Sequence, residues 1–138
     1  MLKASTPGRP LILYITAQEK FLEALLAQQN DEGKENSLYY LSTTLNGAEL
    51  NYSPIEKVCL ALMFAVKKLR HYLQAHSVRL ISRADPLKYL MSKSVLSGRT
   101  AKWAHLLQEV DITYVFQKTI KGQALANFLA NHPISRVL

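Results

Sequence analysis

The sequence predicts an α/β domain built on a five-stranded mixed sheet, three antiparallel strands followed by two parallel ones, with helices on both faces. Two observations on strand order and one on helix punctuation carry that expectation. Three apolar runs, "LILYIT" at 11–16, "FLEALLAQ" at 21–28 and "SLYYLST" at 37–43, follow one another with only short polar connections. Two later runs, "VRLIS" at 78–82 and "ITYVFQ" at 112–117, are separated by helical segments. Strands in series pair antiparallel through hairpins, whereas strands joined through helices pair parallel, so the order β-β-β-α-β-α-α-β-α gives a sheet of both kinds.

Residues 1–10 read as a flexible lead-in, because Pro7, Gly8 and Pro10 exclude regular structure before the first strand. "FLEALLAQ" has helical propensity by composition, but it is short and lies between two strands, so it reads as a strand. "QNDEGKEN" holds the Asp-Glu-Gly turn of a hairpin. The strongest single element runs from Ser53 to about Ala75. Ile55, Cys59, Leu62, Val66, Leu69 and Leu73 recur every three to four residues, with Lys57, Lys67, Lys68 and Arg70 away from that stripe, which predicts one amphipathic helix. Ser53 as N-cap, Pro54 at the first helical position and Glu56 three residues after the cap mark its start. A short helix begins at Pro86 behind Asp85, a second amphipathic helix spans 97–110, and "GQALANFLAN" at 122–131 closes the order as a helix. The domain occupies residues 11–131, with a tail at 132–138.

At 138 residues the chain suits one domain that buries roughly two thirds of its unfolded surface. No apolar run approaches the roughly 18 residues of a membrane span, and the N-terminus has no apolar stretch of signal-peptide length. The single cysteine, Cys59, excludes an internal disulfide and fits a reducing, intracellular setting, cytoplasmic or nuclear. Seventeen Lys and Arg against ten Asp and Glu give a net charge of +7, which favours encounters with polyanions.

Three phrases sharpen the reading. "NGAELNYSPIEKVCLALMFAVKKLRHYL", "PLKYLMSKSVLSGRTAKWAHLLQEVDITY" and "KGQALANFLAN", in this order and spacing, resemble the ribonuclease H region that follows reverse transcriptase in the polyproteins of Ty3/gypsy-type retrotransposons, particularly plant ones. The resemblance covers residues 10–131 and implies the ribonuclease H-like fold. It also implies a site: active members hold two magnesium ions with four acids and cleave the RNA strand of an RNA-DNA hybrid. The first acid lies in a word like T-D-A, where this chain has Thr16; the second opens the long helix and matches Glu56. The third lies in a word like T-D-H, where this chain has Arg83, and the fourth in a word like A-D-A-L, where it has Asn127. Three of the four acids are missing.

Two-metal chemistry needs closely spaced carboxylates to hold two dications about 4 Å apart, and magnesium binds through hard anionic oxygens. Four carboxylates offset the +4 of the ions, whereas Thr16, Glu56, Arg83 and Asn127 sum to zero. A guanidinium about 4 Å from a dication repels it by roughly 8 kcal/mol at an effective dielectric near 20. The ancestral magnesium site is therefore expected to be lost, leaving no metal and no cofactor. Asp85 and Glu19 are the alternative ligands. Asp before Pro is a common helix-start pair, and Glu19 lies in the turn after the strand, so capping and solvation are their plainer roles. Glu56 likewise has a structural reason to remain, as partner of Ser53.

His71, His76, His105 and His132 lack metal-ligand spacing, and there is no phosphate loop or nucleophile motif. Trp103 shares a helical face with Leu106, Leu107 and Val110, which reads as core packing. Lys67, Lys68, Arg70, Arg79, Arg83, Lys88, Arg99 and Lys102 are the candidates for a phosphate-facing surface, against the alternative of a solvated helix face. The leading expectation is an inactive connection or tether domain beside a polymerase, touching RNA-DNA hybrid, reverse transcriptase domains or a second subunit. By the same resemblance, some plant elements carry a second, intact ribonuclease H downstream. One alternative is an active magnesium-dependent ribonuclease H with displaced ligands. The other is a domesticated fragment acting as an interaction module or homodimer, as a chain that starts at Met1 and stops soon after its last helix would suit.

Overall fold

The computed structural model describes residues 5–92 and 98–116. β1 (Leu11–Ala17), β2 (Phe21–Gln29) and β3 (Glu35–Thr44) pair antiparallel in succession, and β4 (Ser77–Ser82) and β5 (Asp111–Phe116) add in parallel on the other side of β1. The sheet order is β3-β2-β1-β4-β5. The helices are α1 (Pro54–Lys68), α2 (Arg70–Ala75), α3 (Pro86–Met91) and α4 (Gly98–Leu107). This is the five-stranded mixed sheet that the element order predicts. The closing helix at 122–131 lies outside the described residues.

Burial on both faces explains why a helix-prone composition forms β2. Leu22, Ala24 and Leu26 join the core under the helices, while Leu25 and Ala27 join Ile12 and Tyr14 on the opposite face. That two-residue alternation is satisfied only by a strand with neighbours on either side. The β2–β3 hairpin closes with Gly33 at φ +83, a conformation that glycine adopts without steric cost. The Asn30 side-chain oxygen accepts from the amides of Glu32 and Lys34 at 2.9 and 3.0 Å.

The four α-helices among the described residues feed one core: Leu62 and Val66 of α1, Leu73 of α2, Leu90 of α3 and Trp103 of α4 pack on Leu11, Leu13, Ile15, Val78 and Leu80. The expected single helix from Ser53 to Ala75 is divided. Leu69 adopts φ −112, ψ 22, outside helical geometry, while Leu69 N still bonds Ala65 O at 2.8 Å and Leu73 N bonds Leu69 O at 3.0 Å. The bend keeps Leu69 and Leu73 in the core and seats α2 against β4. Lys57 also departs from expectation. It is 9% exposed instead of lying on the open side, and its Nζ donates to the Glu19 carbonyl at 2.9 Å. α4 stops at Leu107, short of the expected Val110, because the chain tightens into bonds from Gln108, Glu109 and Val110 to the carbonyls three residues back. A 3-10 turn at Gly47–Asn51, held by Asn46 N donating to Glu49 Oε1 at 3.1 Å, precedes α1 and was not expected.

Residues 5–10 form no helix or strand, yet hydrogen bonds hold them to β2. Gln28, 3% exposed, accepts from Thr6 N at 2.7 Å and donates to the carbonyls of Thr6 and Arg9 at 3.0 and 2.8 Å.

Candidate functional site

The C-terminal ends of β1 and β4 lie side by side, and the first turns of α1 and α3 reach the same end. Two contacts fix the helices there. Lys57 ties α1 to the β1–β2 turn through Glu19, and Cys59 Sγ lies 3.8 Å from the Pro86 carbonyl at the start of α3. The parallel register pairs Tyr14 with Ile81. That is the last pair of the ladder: Thr16 and Arg83 each lie two residues beyond it at the same end of the sheet, with Glu56 in the first turn of α1, while Asn127 lies outside the described residues.

Two of the acids here serve as helix caps. Glu56 Oε1 accepts from Ser53 N at 2.9 Å and from Ser53 Oγ at 3.0 Å, so its carboxylate serves the capping box. Asp85 Oδ1 accepts from Leu87 N and Lys88 N, both at 3.0 Å, and caps α3. Glu19 is exposed, and its backbone carbonyl is what the fold uses. Arg83 is exposed and has no ion pair among the described residues. Its backbone is held on both sides: Tyr114 Oη donates to Ser82 O at 2.8 Å, and Ser82 Oγ donates to Ala84 O at 2.6 Å.

One acid at this end escapes the sequence reading. Glu23 stands opposite Thr16 on β2 and is 6% exposed. Thr16 Oγ1 donates to Glu23 Oε1 at 3.2 Å, and Tyr40 Oη donates to Glu23 Oε2 at 2.5 Å. The signal was an acid in an apolar run, two and four residues before Leu25 and Ala27 on the same strand face. A second phenol–carboxylate pair, Tyr14 with Glu35, joins β1 to β3 over β2. Burial, the hydrogen bond to Glu35 and its charge all drive the Tyr14 pKa far above that of a free phenol.

The donor set suits a pair of dications poorly. Thr16 offers a hydroxyl, Arg83 a cation and Glu56 a carboxylate engaged in capping, and no group of three or more His, Cys, Asp or Glu is poised to hold a metal among the described residues. Cys59, buried beside this end, has its pKa pushed up to about 12 by burial and then by the negative charges of Glu56 and Asp85. It stays a protonated thiol near neutral pH and is a poor ligand.

The basic candidates separate into groups. Lys67, Lys68 and Arg70 sit where α1 gives way to α2, at least eleven residues along the chain from Glu56, which places Lys67 about 16 Å up the helix from it. Arg70 pairs with Glu109 at 2.5 Å. Arg83 and Lys88, both exposed, flank the start of α3, and exposed Lys102 lies on α4. Arg79 is exposed on β4, on the face shared with Ile81. The side chain of Arg99 lies outside the described residues.

Comparison with known proteins agrees with this architecture. The profile of the RNase H-like domain found in reverse transcriptase matches residues 6–110. The chain is 27% identical over 126 residues to a retrovirus-related Pol polyprotein from transposon opus of Drosophila melanogaster, covering 91% of this chain and 12% of that protein. It is 33% identical over 101 residues to the Pol polyprotein from transposon 297 of the same organism, covering 73% and 9%. A Tf2-3 transposon polyprotein of Schizosaccharomyces pombe is 30% identical over 113 residues, covering 74% and 8%. The chain thus spans about a tenth of the curated relatives it matches, which are polyproteins of Ty3/gypsy-type transposons. Among solved structures, the foamy viral protease-reverse transcriptase in complex with dsDNA superposes with a TM-score of 0.70 at 21% identity, over 86% of this chain and 25% of that one. The same enzyme in complex with RNA/DNA hybrid gives 0.67 at 22%, over 86% and 16%. LC11-RNase H1, isolated from compost, gives 0.58 at 17%, over 88% and 92%. The chain belongs to the family of RNase H-like domains found in reverse transcriptase.

Proposed function

We propose that this chain is a non-catalytic RNase H-like domain of a retrotransposon reverse transcriptase, working inside the cell as a tether that contacts nucleic acid beside the polymerase. One observation supports the reading: Thr16 and Arg83, a hydroxyl and a cation, stand two residues beyond the last β1–β4 pair, at the sheet end where the resemblance calls for two carboxylates. The four family positions, Thr16, Glu56, Arg83 and Asn127, bring formal charges that cancel, a poor set for gathering two dications. A net charge of +7 supports contact with a polyanion. So do relatives of the same fold that are described in complex with dsDNA and with RNA/DNA hybrid. Polymerase domains or a second copy of the chain are further partners on this reading. The test pairs two assays on one folded sample: incubation with labelled RNA-DNA hybrid in magnesium or manganese, and hybrid binding across a salt series. No cleavage together with salt-sensitive binding is expected.

Glu23 favours a second reading, a nuclease with displaced ligands, because it returns a carboxylate to within 3.2 Å of Thr16 Oγ1. Metal-dependent cleavage that disappears in both Glu23→Gln and Glu56→Gln would establish that reading and remove the first.

A further inference from the structure

We infer that Arg83 is a phosphodiester anchor, a fixed cation that grips the nucleic-acid backbone at the sheet end where active relatives would gather metal ions. The inference rests on the tether reading above and assigns it a contact residue. Three features of the structure lead to it.

The first is rigidity beneath an exposed charge. Tyr114 holds the carbonyl before Arg83, the Ser82 hydroxyl holds the carbonyl after it, and Asp85 starts α3 two residues on. The guanidinium is exposed on a backbone that has little freedom left to lose on binding, so less ordering cost is met when a ligand arrives. The second is that no ion pair engages Arg83 among the described residues, while Asp85 and Glu56 in the adjoining turns each turn one oxygen to a helix cap. Arg70, by contrast, is tied to Glu109 and is the poorer candidate. The third is position. Arg83 directly follows β4 at the sheet end that also carries Thr16, and Lys88 follows in α3, so two exposed cations flank one strand end. Glu23 lies one strand beyond Thr16, where it is 6% exposed and takes hydrogen bonds from the hydroxyls of Thr16 and Tyr40. Guanidinium matches a phosphate with two parallel N–H donors and needs no metal to do so.

The experiment measures binding of the full chain to a short fluorescent RNA-DNA hybrid by anisotropy across a salt series, with EDTA and with magnesium. Wild type, Arg83→Ala, Arg83→Lys and the double variant Lys67→Ala/Lys68→Ala are compared, each checked for fold by circular dichroism. Arg83→Ala is expected to weaken binding about tenfold and to reduce the log-log salt slope by about one. Arg83→Lys keeps the slope and loses affinity, and wild-type binding is the same in EDTA as in magnesium. An Arg83→Ala protein that binds like wild type with an unchanged slope overturns the anchor while leaving the tether reading intact. Wild-type binding that requires magnesium also overturns the anchor. No salt-sensitive binding by any folded protein removes both.

Discussion

Glu56 can be tested as a helix cap against Glu56 as a metal ligand, because the two roles respond differently to one atom's change. Its Oε1 accepts from Ser53 N and Ser53 Oγ, and Ser53 Oγ lies 3.4 Å from Glu56 N. Truncation in Glu56→Ala removes the acceptor and costs about 1 kcal/mol, the usual worth of a capping contact. With roughly 2.1 cal/mol/K of unfolding entropy per residue, 138 residues give about 0.29 kcal/mol/K. The melting temperature should therefore fall by about 3 °C. Glu56→Gln should melt within about 1 °C of wild type, since glutamine serves in the same capping motif. A metal ligand behaves otherwise. Manganese at a hundred times its dissociation constant would stabilise the fold by about 2.7 kcal/mol, or about 9 °C here, and glutamine would abolish that gain. Differential scanning calorimetry of the three proteins with and without manganese reads both effects. A manganese-dependent rise in wild type that vanishes in Glu56→Gln would refute the capping account.

Three other expectations follow from the hydrogen bonds and burial. Glu23→Ala strips the acceptor from both Thr16 and Tyr40 and should cost about 1–3 kcal/mol in urea unfolding, whereas Tyr40→Phe should cost about 1 kcal/mol. Gln28→Ala removes three bonds to residues 6 and 9, so amides at 5–10 should exchange markedly faster by mass spectrometry while those of β1 keep their protection. The Cys59 thiol, pushed up from 9.0 to about 12, ionises later in the folded chain than in the unfolded one. Between those values the unfolded state binds fewer protons, so this contribution is complete below pH 9 and is lost as pH rises towards 12. Wild type should lose stability across that window and Cys59→Ala less so, and a thiol reagent at pH 8 should label Cys59 only on unfolding.

What the sequence made legible was local or periodic. Ser53, Pro54, Glu56 and Asp85 announce helix starts through residues within one turn of each other, and the structure has those caps. β2 was legible from its place between strands and not from its own letters. The bend at Leu69 was not, since neither proline nor glycine marks it and the cause is the fit of Leu69 and Leu73 to the core. Lys57 obeys helical spacing, yet its long side chain crosses to a carbonyl thirty-eight residues away. Glu23 escaped for the same reason: its partners are set by the registers of β1 and β3, which no local pattern encodes. The spread of the basic residues was hidden too, because a count of charges carries no positions.

The grip of Gln28 on residues 6 and 9 has a practical corollary. It holds the incoming chain beside the β2–β3 hairpin, where Ile12 pairs with Ala27, whereas Thr16 and Arg83 lie at the far end of β1. Seven strand residues separate those poles by about 20 Å. An affinity handle or neighbouring domain fused ahead of Ser5 therefore emerges at the pole away from Arg83, leaving that tip clear for solution measurements.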